Sequence, residues 1–281
     1  MNSTFSYSKT DWALILGASS GFGAATAKVL AGHGMNIIGV HFDRAATMPA
    51  AERVMKEVES CDVKARFFNI NASDATKRNE TLDTVKKEFE ADQNNTIRVF
   101  LHSLAFGSLK PLVSKKPEQC LTQAQVEMTM DVMANTLVYW TQGIVARDLM
   151  KPGGRILAMT SSGGHSVLLN YGAVSAAKAA LESYIRQIAL ELGPAGITAN
   201  AILGGVTDTP ALRKIPGATK MLEVAKARNP SGRNSIAEDV ANAIALLAHD
   251  KAYFISGNVI NVDGGEDVVQ YIGQKSVQGL E

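Results

Sequence analysis

From residue 12 to residue 263 the chain alternates short apolar runs with longer segments of helical period, and it keeps that order to the end. Trp12–Leu16 and residues 36–40, 65–70, 97–101, 155–160, 198–203 and 258–262 read as strands. Residues 24–34, 49–60, 75–92, 122–150, 171–192 and 237–248 read as helices, with 122–150 forming one or two. Strand, crossover helix and strand in repetition call for a parallel sheet covered on both faces. The expectation is therefore an α/β fold with a doubly wound parallel sheet. No internal repeat or Ser/Pro linker divides it, so residues 1–281 are expected to form a single domain. Residues 204–233 break the rhythm with Gly204, Gly205, Pro210, Pro216, Gly217, Pro230 and Gly232. That stretch is too long for an ordinary connection and is expected to be a substrate-binding flap.

Charge narrows the function classes. Lys and Arg number 28 against 27 Asp and Glu, so there is no broad basic field for nucleic acid. No apolar run is long enough to span a bilayer, and the start, MNSTFSYSKTDW, lacks the pattern of a signal peptide. Cys61 and Cys120 are too few for a disulfide framework and have no metal spacing. A cytoplasmic protein without a metal or a membrane partner is expected.

The first strand runs into Gly17-Ala18-Ser19-Ser20-Gly21-Phe22-Gly23, and a helix begins at once. Glycine lets the chain turn sharply and approach a pyrophosphate, while the helix start offers free N–H groups and positive potential. Ser19 and Ser20 can add hydroxyl donors. At the second strand, Asp43 can bind ribose hydroxyls and Arg44 can hold a phosphate, or the two can form a solvent-exposed pair.

Tyr171 and Lys178 are seven residues apart, and on a helix their directions differ by only about 20°. Ser161 and Ser162 end the preceding strand, on the side where open parallel sheets bind ligands. A phenol, an ammonium and a hydroxyl converging there make an acid and oxyanion-stabilising set. The lysine charge is expected to lower the tyrosine pKa. The alternative is a helix-start aromatic and a solvated lysine. Tyr139 and Tyr184 read as packing residues, and His102 and His165 have no partner that selects either. Asn135 lies within an apolar helix, where it either kinks the helix and holds a water or faces solvent.

Over residues 11–265 the chain resembles the short-chain dehydrogenase/reductase family. GASSGFG, the serine pair, Asn135 and the C-terminal SGNVINVDGG carry that resemblance. The family's usual tyrosine stands four residues before its lysine, where this chain has Val174. The Tyr171-x6-Lys178 spacing instead resembles the enoyl-acyl-carrier-protein reductase branch, as does Val99–Phe106. Ser161 stands where the best-known form has a second tyrosine, and in this the chain is similar to an NADPH-using Bacillus variant.

The resemblance implies a Rossmann-like fold, a homotetramer paired through 122–150 and 171–192, and a tail beyond Gly265 near another subunit. It also implies reduction of a 2-enoyl thioester on acyl carrier protein or coenzyme A. Tyr171 would then hydrogen-bond the thioester oxygen, Lys178 the nicotinamide ribose, and Ser161 would orient. Leu212, Ile215, Met221 and Leu222 would contact the acyl chain. The expected cofactor set is Gly17, Ser19, Ser20, Gly21, Phe22, Gly23, His41, Arg44, Asn71, Ser103, Lys178, Gly204, Val206 and Thr207. NADPH is favoured over NADH, because His41 stands where NAD-specific relatives carry an acid, Asp43 is expected to point away, and Arg44 can reach back. A carbonyl reductase or alcohol dehydrogenase of the same family, or a non-catalytic nucleotide-binding protein, are the alternatives.

Overall fold

The computed structural model describes residues 5–270. Its strands are β1 (Asp11–Leu16), β2 (Asn36–His41), β3 (Ala65–Asn69), β4 (Thr96–His102), β5 (Arg155–Thr160), β6 (Thr198–Gly204) and β7 (Val259–Val262). All pair in parallel, in the order β3-β2-β1-β4-β5-β6-β7. The helices are α1 (Gly21–Gly32), α2 (Met48–Glu59), α3 (Ala75–Phe89), α4 (Gln123–Met130), α5 (Thr136–Val145), α6 (Gly172–Leu192), α7 (Ala218–Arg228) and α8 (Ala237–Ala248).

The strands read as continuous apolar runs because both sheet faces are covered. Trp12, Leu14 and Leu16 of β1 enter one core with Trp140 of α5 and Leu181 and Ile185 of α6. Ala13 and Ile15, pointing the other way, enter a second core with Ala27 and Leu30 of α1 and Val240 and Ile244 of α8. Strand order reverses between β1 and β4, which opens a crevice beyond the carboxyl ends of the strands.

Two stretches differ from a simple reading. Residues 122–150 hold α4, a π-helical turn at Asp131–Asn135, and α5. A π turn inserts a residue and rotates the next helical segment, which accounts for the helix being broken at Asn135. The 204–233 stretch is not plain loop, for it carries α7 and a 3₁₀ turn at Leu212–Lys214. No helix among the described residues is long and apolar enough to cross a membrane. The expected contact of the tail with another subunit falls mostly outside the described residues.

Candidate active site

The glycine turn is built by close contacts. A Cβ on Gly17 would strike the Ser103 carbonyl, and one on Gly23 would strike the Gly17 carbonyl. Gly21 sits at φ +55°, a conformation that favours glycine. Ser20 caps α1 in an extended conformation without bonding its side chain to the helix, so the first N–H groups of α1 are left for a ligand. This cradle and the helix end fit a dinucleotide pyrophosphate.

At the end of β2 the structure corrects two expectations. His41 is 3% exposed and its Nδ1 meets Asp43 Oδ2 at 2.9 Å, so its ring has no face free for a 2′-phosphate. Asp43 does not point away. Burial alone would raise its pKa, but hydrogen bonds from Ser19, Thr47 and His41 together bring it below the ordinary carboxylate range. Its side chain is instead half-buried at the end of β2, held by His41 Nδ1 at 2.9 Å. Arg44 is exposed. Asn71 is exposed too, with Oδ1 accepting from Ser73 N at 3.1 Å within its own turn.

Across the crevice a cavity of about 270 Å³ is lined by Phe22, Ser103, Ser161, Tyr171, Lys178, Gly204, Val206 and Thr207. Leu104, Met133, Leu212, Ile215 and Met221 make much of its apolar wall, while Leu222 is not part of the lining. Tyr171 is the N-cap of α6, not its first turn, and its ring packs against Gly163. Burial raises the Tyr171 pKa, with the Ser161 hydroxyl pulling the other way. The expected lowering by Lys178 is thus reversed: removing the phenol from water outweighs any help to the phenolate. Ser161 Oγ also accepts from Gly163 N at 3.1 Å, which holds the strand end in its turn.

Lys178 is not on a solvated helix face. It is 4% exposed, and Nζ donates to the Met159 carbonyl at 2.6 Å. Burial brings its pKa down to about 8, and the nearby Glu182 carboxylate works against that fall. Asn135 Oδ1 accepts from the Tyr184 hydroxyl at 3.0 Å, so Tyr184 does more than pack. His102 is fully buried with Nε2 2.8 Å from Thr136 Oγ1, and burial, then the Lys178 charge, lower its pKa to about 3. It stays neutral. His165 sits at the rim, 2.9 Å from Asp267.

Most of the chain is similar to known proteins. Residues 17–266 match the family model described as enoyl-(acyl carrier protein) reductase. The chain belongs to that family, within the short-chain dehydrogenases/reductases. It is 30% identical over 261 residues to the 1-cyclohexenylcarbonyl-CoA reductase of Streptomyces collinus, across 91% of this chain and 86% of that one. It is 32% identical over 166 residues to the NADH-dependent enoyl-[acyl-carrier-protein] reductase of Escherichia coli, across 59% of this chain and 62% of that protein. The fold agrees with the FabI structure from Candidatus Liberibacter asiaticus at a TM-score of 0.81 and 24% identity, covering 95% and 99% of the two chains.

In this short-chain reductase the carboxylates of Glu182 and Glu266 were not singled out from the sequence. Glu182 accepts from Thr160 Oγ1 at 2.6 Å and stands one helical turn beyond Lys178, a spacing that could have flagged it. Glu266 is buried in the cavity wall, where its oxygens take the Val206 N–H at 3.3 and 3.4 Å. Burial raises its pKa. Nothing local in GGED announces that contact, which needs β6 and the segment after β7 to meet.

Proposed function

We propose that the protein reduces the 2,3-double bond of a 2-enoyl thioester carried on acyl carrier protein or coenzyme A. One observation carries the reading: Tyr171 caps the helix whose buried Lys178 comes seven residues later, and both line one largely apolar cavity with Ser161. When bound, the nicotinamide cofactor supplies the hydride for C3 of the substrate. Tyr171 donates a hydrogen bond to the thioester oxygen, where charge develops, and its raised pKa keeps the proton on the phenol for that purpose. Ser161 orients the phenol. Lys178 binds the nicotinamide-ribose hydroxyls, its ammonium kept in place by the Met159 carbonyl. The apolar wall from Leu212 to Met221 shields the acyl chain, and residues 204–233 act as the flap over it.

For the cofactor, the cradle of Gly17, Gly21 and Gly23 takes the pyrophosphate, with Ser19 and Ser20 beside it. The expectation of NADPH depends on Asp43 pointing away. With an ionised carboxylate held by His41 at the end of β2, Asp43 would accept from ribose hydroxyls and repel a 2′-phosphate, so we favour NADH.

Assays with crotonyl and acetoacetyl thioesters, on coenzyme A and on acyl carrier protein, test the reading. Consumption of reduced cofactor with the crotonyl substrate is expected. Turnover of the keto substrate alone would overturn it in favour of a carbonyl reductase. Cofactor binding with neither turned over would favour a nucleotide-binding protein.

A further inference from the structure

Lys178 lies in a place where an ammonium is hard to keep. It is 4% exposed, beneath the crevice, with the Met159 carbonyl at 2.6 Å as a neutral partner. A cation taken from water in this way sheds its proton unless an anion offsets the loss. The polar groups near it come from three directions. His102 on β4 is neutral, since burial and then Lys178 itself bring its pKa to about 3. Tyr171 at the start of α6 keeps its proton because burial raises its pKa. On the π turn, Asn135 is an amide, paired with Tyr184. Glu182 remains.

The Glu182 carboxylate is held, not free. Thr160 Oγ1 donates to its Oε1 at 2.6 Å, and Thr160 stands between Met159, which accepts from the lysine, and Ser161. It also lies under the loop after β5, so closely that a Cβ on Gly164 would come 2.6 Å from Oε1. We propose that Glu182 is a positioning residue for Lys178: anchored on Thr160 one helical turn beyond the lysine, its charge keeps the buried ammonium protonated and so fit to bind the nicotinamide ribose. The proposal rests on the ribose-binding role proposed for Lys178. No proton is transferred in it, because Glu182 acts through its field.

The wild-type protein, Glu182→Gln and Glu182→Asp separate this role from a structural one. Gln keeps the size and can still accept from Thr160, but it has no charge. Asp keeps the charge. Binding of NADH and of NADPH is titrated by cofactor fluorescence from about pH 6 to about pH 10, a span that reaches the ordinary lysine range. In parallel the Lys178 Cε resonance, assigned through Lys178→Met, reports the ammonium directly. In the wild type the affinity is expected to fall as the pH rises through about 8. In Glu182→Gln both readouts should move lower by about one pH unit, as expected for removal of a nearby opposite charge. Glu182→Asp should stay near the wild-type position. Coincident limbs in wild type and Glu182→Gln would overturn the proposal. Should the Gln variant not fold, Glu182→Ser takes its place with the same expected shift. A wild type that binds neither cofactor would refute the ribose role, while the Cε titration would still decide whether Glu182 holds the charge on Lys178.

Discussion

The role proposed for Tyr171 asks one hydroxyl to do the electrostatic work of the reaction. Tyr171→Phe leaves the ring packed on Gly163 and removes only the donor. Loss of a donor to a developing oxyanion lowers kcat on the order of 10²-fold or more, and cofactor Kd should be nearly unchanged. Stopped-flow turnover with the crotonyl thioester, alongside a cofactor titration, checks both. Asp43 is the second residue with a specific consequence. If its carboxylate faces the ribose, kcat/KM with NADH should exceed that with NADPH by tenfold or more, about 1.4 kcal/mol. Asp43→Asn should erase most of that difference by improving KM for NADPH. A wild type that prefers NADPH would restore the role of Arg44 instead.

Single elements carry the site by their ends, and their far ends must be closed as well. The C-terminus of α8 is closed by arginines from neighbouring strands. Arg155, the first residue of β5, donates from Nε to the Leu247 carbonyl at 3.0 Å and from a terminal nitrogen to the His249 carbonyl at 3.3 Å. Its other terminal nitrogen takes the Gly153 carbonyl at 2.6 Å, and Arg98 covers Ala248 at 3.1 Å. This buried fork satisfies carbonyls that would otherwise be stranded. Arg155→Ala should therefore cost about 2–4 kcal/mol in urea unfolding. Because Arg155 lies at the end of β5 opposite Ser161, cofactor affinity of the folded variant should hold. A loss of affinity without a loss of stability would contradict this division of the strand.

At the scale of the whole molecule the exposed helix faces bear on assembly. Val126 of α4, Val145 of α5 and Leu190 of α6 are exposed apolar side chains on the very segments expected to pair. Helix faces of this kind are well suited to isologous contacts, and we propose a homotetramer that covers them. Light scattering at micromolar concentration should return four times the 29.9 kDa chain mass. A clean monomer would remove the proposal.

The sequence by itself determined the local and periodic features. The alternation of strand and helix led to the parallel sheet, because a period of two or 3.6 can be read within a dozen residues. The glycine turn before α1 lies where its pattern placed it, and the spacing of Tyr171 and Lys178 is local in the same sense, although Tyr171 caps α6 and does not lie within its first turn. Tertiary structure decided the features that depend on segments far apart in the chain. Asp43 is held by His41, whose ring packs beside Phe67 of β3, and the rise of the Tyr171 pKa depends on water being excluded by its surroundings. Lys178 is buried where α6 packs on β5 and the π turn, and Glu266 meets Val206 only where β6 and the segment after β7 come together. Charge state and side-chain direction arise from solvent exclusion and from partners in space, and neither is encoded in the residue types of one segment.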